Sequence, residues 1–164
     1  MWNVAYNFYG SSTGKAKPIQ LVRTYIHQVR YLYEARTKEG KRRYSPIALY
    51  PIFALVPYLH RSSNIICKNP DVLHIEDIEY FNITEITALL DLTHSKKTSS
   101  ALSSLSLNGQ TVFVKVESRN EVYLKLNPRI FWRGADVPDY KMIAEFDMID
   151  NNHKKRKLIM SSVN

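Results

Sequence analysis

A chain of 164 residues, 45% hydrophobic and 23% charged, has the make-up of an ordinary globular protein and the length for one folded unit with tails. Its 23 Lys and Arg against 15 Asp and Glu leave a net charge of +8. That balance favours a polyanionic partner, because cations that neutralise phosphates release condensed counterions. Cys67 is the only cysteine, which excludes an intrachain disulfide and a multi-cysteine metal site. The first residues lack a basic-then-apolar pattern, and Pro46, Pro51, Pro57 and His60 punctuate the most apolar stretch, so neither a secretory leader nor a membrane span is expected, and the expected compartment is the cytoplasm.

The charge is unevenly distributed. Residues 15–43 hold nine basic and two acidic side chains, residues 71–91 hold six acidic and no basic ones, and residues 94–133 hold seven basic and two acidic. Distinct faces of opposite potential follow, with the acidic segment turned away from a polyanion or set against the basic helix at 18–36.

In chain order, Trp2, Val4, Tyr6 and Phe8 alternate, and Gly10 to Lys17 is rich in small and polar residues, which reads as a short strand or arm and a loop. From Pro18, apolar residues at Ile19, Val22, Ile26, Val29 and Tyr33 recur at three- and four-residue steps, predicting a helix to about Arg36. Lys38 to Arg43 is a basic turn or loop. Residues 47–59 predict a buried helix with Pro51 in its first turn, where a missing N–H is harmless. Arg61 to Asn64 breaks it, and Ile65-Ile66-Cys67 predicts a short strand.

Asn82-Ile83-Thr84-Glu85 has the form of a capping box, and Ile83, Ile86, Leu89 and Leu90 follow at helical spacing, predicting a helix from 83 to about 92. After a turn of about three residues, Ser95 is the expected N-cap of a second helix running to Leu107, stopped by Asn108-Gly109. Ile83, Ile86, Leu90, Leu102 and Leu105 are the expected seam between the pair. Val112, Val114 and Val116, then Val122, Leu124 and Leu126, alternate with other residues about Ser118 to Glu121, predicting a β-hairpin over about 110–127 with one apolar face.

Helix, short turn, polar helix and β-hairpin is the order of a winged helix-turn-helix, in which the first helix braces the second and the second enters the major groove. At about 100° per residue, Thr98, Ala101, Leu102 and Leu105 cluster on one side of the second helix and Lys96, Lys97, Ser100, Ser103 and Ser104 on the other. Short hydroxyl side chains let a helix approach bases and phosphates closely. The expected fold is therefore α+β, a winged helix-turn-helix with an N-terminal helical extension and a C-terminal tail. It divides into an arm and helix packed on the core over 1–44, the winged helix over 45–134, and an extension with a basic tail, Lys154 to Lys157, over 135–164. The candidate DNA contacts are Ser95, Lys96, Lys97, Ser99, Ser100, Ser103 and Ser104 on the helix, Lys115, Arg119, Asn120 and Lys125 on the wing, and Arg129 and Arg133 just after it.

The stretch Val122-Tyr-Leu-Lys-Leu-Asn127-Pro128-Arg-Ile-Phe-Trp-Arg133-Gly134, led by the helical pair, resembles the RepL-type replication proteins of small Firmicute plasmids, which have a MarR-like winged helix, a wing strand and an Asn-Pro…Gly signature. The resemblance runs over about residues 45–134. It implies a plasmid or phage DNA-binding protein acting in replication initiation or control.

A regulator of transcription in a mobile element would use the same chemistry, and a winged helix that binds a protein is the further alternative. An enzyme is not expected: His27, His60, His74, His94 and His153 are isolated from one another, and Gly10 to Lys15 lacks the spacing of a phosphate loop. No cofactor, metal, membrane or small-molecule substrate is expected. The partners expected are double-stranded DNA and, as an option, a second copy of the chain. Tyr25, Tyr31, Tyr33, Tyr44, Tyr50 and Tyr58 interleave with arginines, a pattern that fits core or dimer packing better than a platform for single strands.

Overall fold

The computed structural model describes residues 22–24, 26–118, 121–134 and 137–162. It is an α+β fold: β1 (Arg23–Thr24), α1 (Ile26–Glu34), α2 (Pro46–Leu55), α3 (Ile83–Leu89), α4 (Ser95–Ser104), β2 (Ser106–Leu107), β3 (Gln110–Thr111), β4 (Phe113–Ser118), β5 (Glu121–Leu126), β6 (Phe131–Trp132) and α5 (Tyr140–Ser162). The main core gathers Leu49, Ile52 and Leu55 of α2, Ile86 of α3 with Leu90 beyond its end, Leu102 of α4, and Phe113, Leu124 and Leu126 of the hairpin.

The first helix begins later than its periodicity suggests. Arg23 and Thr24 are extended and pair antiparallel with Trp132 and Phe131, because the edge of β6 offers backbone partners that a helix would leave unmet. The expected strand or arm and loop over 1–17 lie outside the described residues. In α2 it is Pro46 that occupies the opening position, whereas Pro51 sits inside the helix. Pro51 therefore removes an N–H that would have met the Ile47 carbonyl. Helical structure continues through a 3₁₀ turn, Val56–Tyr58.

Asn64 closes the turn that follows, with φ 55° and 1% exposure. Asn is among the few residues that enter this left-handed region readily. Beyond it, the Ile66 N–H donates to Leu124 O at 2.9 Å and the Leu126 N–H to Asn64 O at 3.1 Å. The segment expected as a strand at 65–67 thus runs antiparallel along β5, bridging Ile65 to Lys125.

Asn82 and Glu85 form the expected capping box, each side chain accepting from the other's backbone N–H at 2.9 Å. The helix stops at Leu89, short of residue 92, because Asp91 turns left-handed at φ 52° and the Leu92 N–H returns to Thr87 O at 2.9 Å. Five residues, not three, then lead to α4. The seam is as expected: Ile86, Leu90 and Leu102 are buried, and Ile83 and Leu105 pack against them half-buried.

α4 ends at Ser104, three residues before the expected end. Asn108 and Gly109 both have positive φ, 50° and 75°, the requirement of a type I′ turn whose twist matches a two-stranded ribbon. The pair turns β2 into β3, so Leu105 to Leu107 are drawn out of the helix. Leu107 is fully buried.

The β4–β5 ladder pairs Ser118 with Glu121 and Phe113 with Leu126, setting each odd-numbered residue opposite an even-numbered one. Val114 and Val116 consequently share a face with Tyr123 and Lys125, while Leu124 and Leu126 share the other with Phe113 and Lys115. The single apolar face expected from the alternation does not exist. One face supplies Phe113, Leu124 and Leu126 to the main core. The other covers a second cluster of Ile65, Cys67 and Ile78, against which Tyr80 and Tyr123 pack, their rings stacked 4.6 Å apart at 18°.

The C-terminal extension is a 23-residue helix and not a tail. Phe146 of α5 is 1% exposed, and the buried Asp150 carboxylate accepts from the Thr111 N–H at 2.8 Å and the Thr111 hydroxyl at 2.6 Å. Among the described residues, no ion pair joins the acidic segment 71–91 to α1. Glu85 meets Lys68 at 2.6 Å, Asp71 meets Arg133, and in α1 Arg30 faces Glu34 within the same helix.

Leu102→Ala should lower the unfolding free energy by about 2–5 kcal/mol, read in urea; a loss well under one would misplace the α3–α4 seam. His60 is wholly buried, and its Nδ1 lies 2.9 Å from the Ser63 hydroxyl and Nε2 3.0 Å from Val72 O. Burial, reinforced by the nearby Arg133 and Arg61 charges, holds the imidazole below its ordinary value. The unfolded chain then binds the proton more tightly, so stability is complete above about pH 6.5 and falls as pH drops through that value. His60→Asn should flatten this acid limb in denaturant titrations; an unchanged limb would remove His60 as its source.

Candidate nucleic-acid interface

α4 presents two chemically different sides. Thr98 and Leu102 are buried, and the Thr98 hydroxyl donates to His94 O at 3.0 Å, so even the polar member of the inner side is satisfied. Lys96, Lys97, Ser100, Ser103 and Ser104 are exposed, with Ser95 and Ser99 half-buried beside them. Ala101, expected on the inner side, is also exposed, which widens the outer surface. No Asp or Glu occurs from Ser95 through Leu107.

The start of α4 differs from expectation in a way that favours anions. His94, not Ser95, is the N-cap, and its side chain makes no capping bond. Ser95 is the first helical residue. The leading N–H groups, which carry the positive end of the helix dipole, therefore share the first turn with the exposed residues Lys96 and Lys97. Neither lysine enters an ion pair with another described residue.

The β4–β5 hairpin, expected as the wing, is less cationic than its composition suggests. Lys115 is exposed but lies 2.8 Å from the Glu117 carboxylate, a local pair that holds Glu117 below the usual carboxylate range. Arg119 and Asn120 lie outside the described residues. Lys125 points to the other face of the ladder, where its ammonium meets Glu145 of α5 at 2.8 Å. Arg129 makes a two-pronged contact with Asp147, both N–O distances 2.7 Å.

Arg133 is buried, donating to Leu59 O at 2.7 Å and to the Asp71 carboxylate. These three cations fasten the molecule internally and do not join the surface of α4. The structure thus brings together Ser95, Lys96, Lys97, Ser99, Ser100, Ser103 and Ser104 on one helix, and sets Lys125, Arg129 and Arg133 apart from them.

A group absent from the sequence-based set is Lys38, Lys41, Arg42 and Arg43, all exposed. Arg36 bridges to Arg42, so the basic turn is a small β-hairpin. Its signal was the consecutive run Lys41-Arg42-Arg43, read as a basic turn or loop and not as a binding element. Among the described residues, no three of His, Cys, Asp and Glu gather as a metal site, and no helix is long and apolar enough to cross a membrane. Burial pushes the Cys67 thiol up to about 11, which leaves it protonated and unreactive at neutral pH.

Because Lys125 holds α5, Lys125→Met should cost about 1 kcal/mol of stability, and a double-mutant cycle with Glu145→Gln should return a coupling of about the same size. A zero coupling would release Lys125 for an external partner. No family model, curated protein or solved structure matches the chain.

Proposed function

We propose that the chain is a winged-helix protein that binds double-stranded DNA, with α4 as the helix that enters the major groove and the β4–β5 hairpin as the wing. The observation that carries this reading is the outer side of α4, where two unpaired lysines and a row of serines stand on a helix without a single carboxylate. Element order supports it. α2, the segment 65–67 along β5, α3, α4 and then β4 and β5 follow one another as in a winged helix, and α4 is braced from behind by α3 through Leu102.

Short hydroxyls allow close approach to base edges, and the lysines at the first turn supply phosphate contacts. The resemblance to RepL-type proteins over about residues 45–134 directs the reading to a plasmid or phage protein acting in replication initiation or control. No catalytic step is assigned to it.

The test is duplex binding. Wild-type protein should retard duplex DNA at low salt, and Lys96→Glu with Lys97→Glu should abolish retardation at moderate salt. Failure of the wild type to bind any duplex, or unchanged affinity in the double variant, would overturn the assignment. Sites selected from a random duplex library then separate the roles: clustered direct repeats support an origin, whereas a palindrome bound by two copies supports an operator.

A further inference from the structure

We infer that the hairpin Arg36–Arg43 is a second phosphate-binding element, gripping duplex DNA across the groove from Lys96 and Lys97; the inference rests on the reading of α4 given above. The hairpin is a built structure. The Thr37 N–H donates to Lys41 O at 2.8 Å, the Gly40 N–H to Thr37 O at 3.0 Å and the Arg43 N–H to Ala35 O at 2.9 Å. Gly40 has φ 77°, which a side chain would strain. Arg36 is committed to the root, its guanidinium donating to the carbonyls of Tyr33 at 2.8 Å and Ala35 at 3.2 Å.

The remaining cations, Lys38, Lys41, Arg42 and Arg43, are exposed and enter no ion pair with the described residues. The hairpin's single acid is turned elsewhere. Hydrogen bonding to the Thr37 side chain holds the Glu39 carboxyl below its usual range; it stays ionised and offsets one positive charge, but it forms no ion pair with the described residues, and the cations outnumber it. Four cations without an ion pair to the described residues, on an eight-residue hairpin of fixed shape, repel one another, and an anionic partner relieves that repulsion.

Position supplies the second argument. Tyr44, next in the chain, packs edge-on against Tyr31 of α1 with ring centroids 6.4 Å apart and donates its hydroxyl to Ser106 O at 2.8 Å. Gln28 of α1 reaches Gln110 of β3 at 3.0 Å. The root of the hairpin is therefore fixed beside the β2–β3 ribbon, where Ser106 of β2 lies two residues past the end of α4. Lys96 and Lys97 stand at the opposite end of that helix. Ten residues of α-helix span about 15 Å, and the major groove is about 12 Å wide. A helix seated in the groove with cations at both ends meets both phosphate strands that border it.

The experiment compares two triple variants of equal charge by the salt dependence of Kd for a duplex. Lys41→Gln, Arg42→Gln and Arg43→Gln remove the hairpin cations, while Arg61→Gln, Lys141→Gln and Lys154→Gln remove three exposed cations elsewhere. The hairpin variant should lose about two to three units of slope in log K against log salt, and the control less than about one. Equal slopes in the two variants, with the wild type binding and the Lys96/Lys97 double variant not, would overturn this inference alone; absence of wild-type binding would overturn both readings.

Lys38→Cys gives an independent readout in an otherwise intact hairpin, since Cys67 is buried and stays unlabelled. An iron chelate tethered there should cut one DNA strand at a border of the protected site. Cutting absent from that border would likewise count against the inference.

Discussion

The buried carboxamide of Asn64 joins pieces of chain that would otherwise have no common reference. Its Nδ2 donates to Leu126 O at 3.0 Å and to Phe131 O at 2.6 Å, and its Oδ1 lies 3.4 Å from the Arg133 N–H. Its backbone N–H meets His60 O and its carbonyl meets Leu126 N. One residue thereby ties the end of the α2 segment to β5 and β6. Each of these partners is a backbone group shut away from water, and leaving one unmet costs about 1–3 kcal/mol. The left-handed backbone at Asn64 is what aims the side chain at all of them.

The same logic explains the residues that follow β5. Asn127 is fully buried; its side chain donates to Thr111 O at 2.8 Å and accepts from the Arg129 N–H at 3.0 Å. Thr111 is in turn held by Asp150, so β3, the end of β5 and α5 meet at one polar junction. Gly134 lies beneath the Trp132 indole, which occupies the space where a Cβ would stand. Asn127 and the Trp132-Gly134 contact therefore fasten strand ends in this chain. They support the β4–β5 hairpin at its root, away from the outer side of α4.

What the sequence conveyed well was local. The capping box at Asn82 and Glu85, the α3–α4 seam and the existence of the hairpin follow from patterns contained within a dozen residues. What it hid depends on partners distant in the chain. Arg23 and Thr24 are extended because of Phe131 and Trp132. Asn108-Gly109 is the exception, since its pairing of Ser106-Leu107 with Gln110-Thr111 is local and the pair was read as a helix stop alone. The hairpin faces were misread because alternation within each strand says nothing about register between strands. Lys125 and Arg129 looked external because their carboxylate partners, Glu145 and Asp147, sit on a helix that composition alone made a tail.

That last misreading changes how the net charge should be understood. Of the seven basic residues between 94 and 133, Lys125, Arg129 and Arg133 are matched by Glu145, Asp147 and Asp71, and Lys115 by Glu117. The pairs bind α5 and the 71–79 loop to the sheet, so the acidic stretches serve the fold's interior joints. Among the described residues, the cations without a carboxylate partner include scattered ones, Arg61, Lys141 and Lys154, and two groups. Lys96 and Lys97 lead α4, and Lys38, Lys41, Arg42 and Arg43 crown the hairpin beside its far end. Internal pairing thus leaves two groups of described cations with the hydroxyl-rich outer side of α4, which carries no carboxylate, between them. Under the proposed reading, a surface uniformly basic would bind polyanions in any orientation, whereas two such groups would favour the one in which α4 enters a groove.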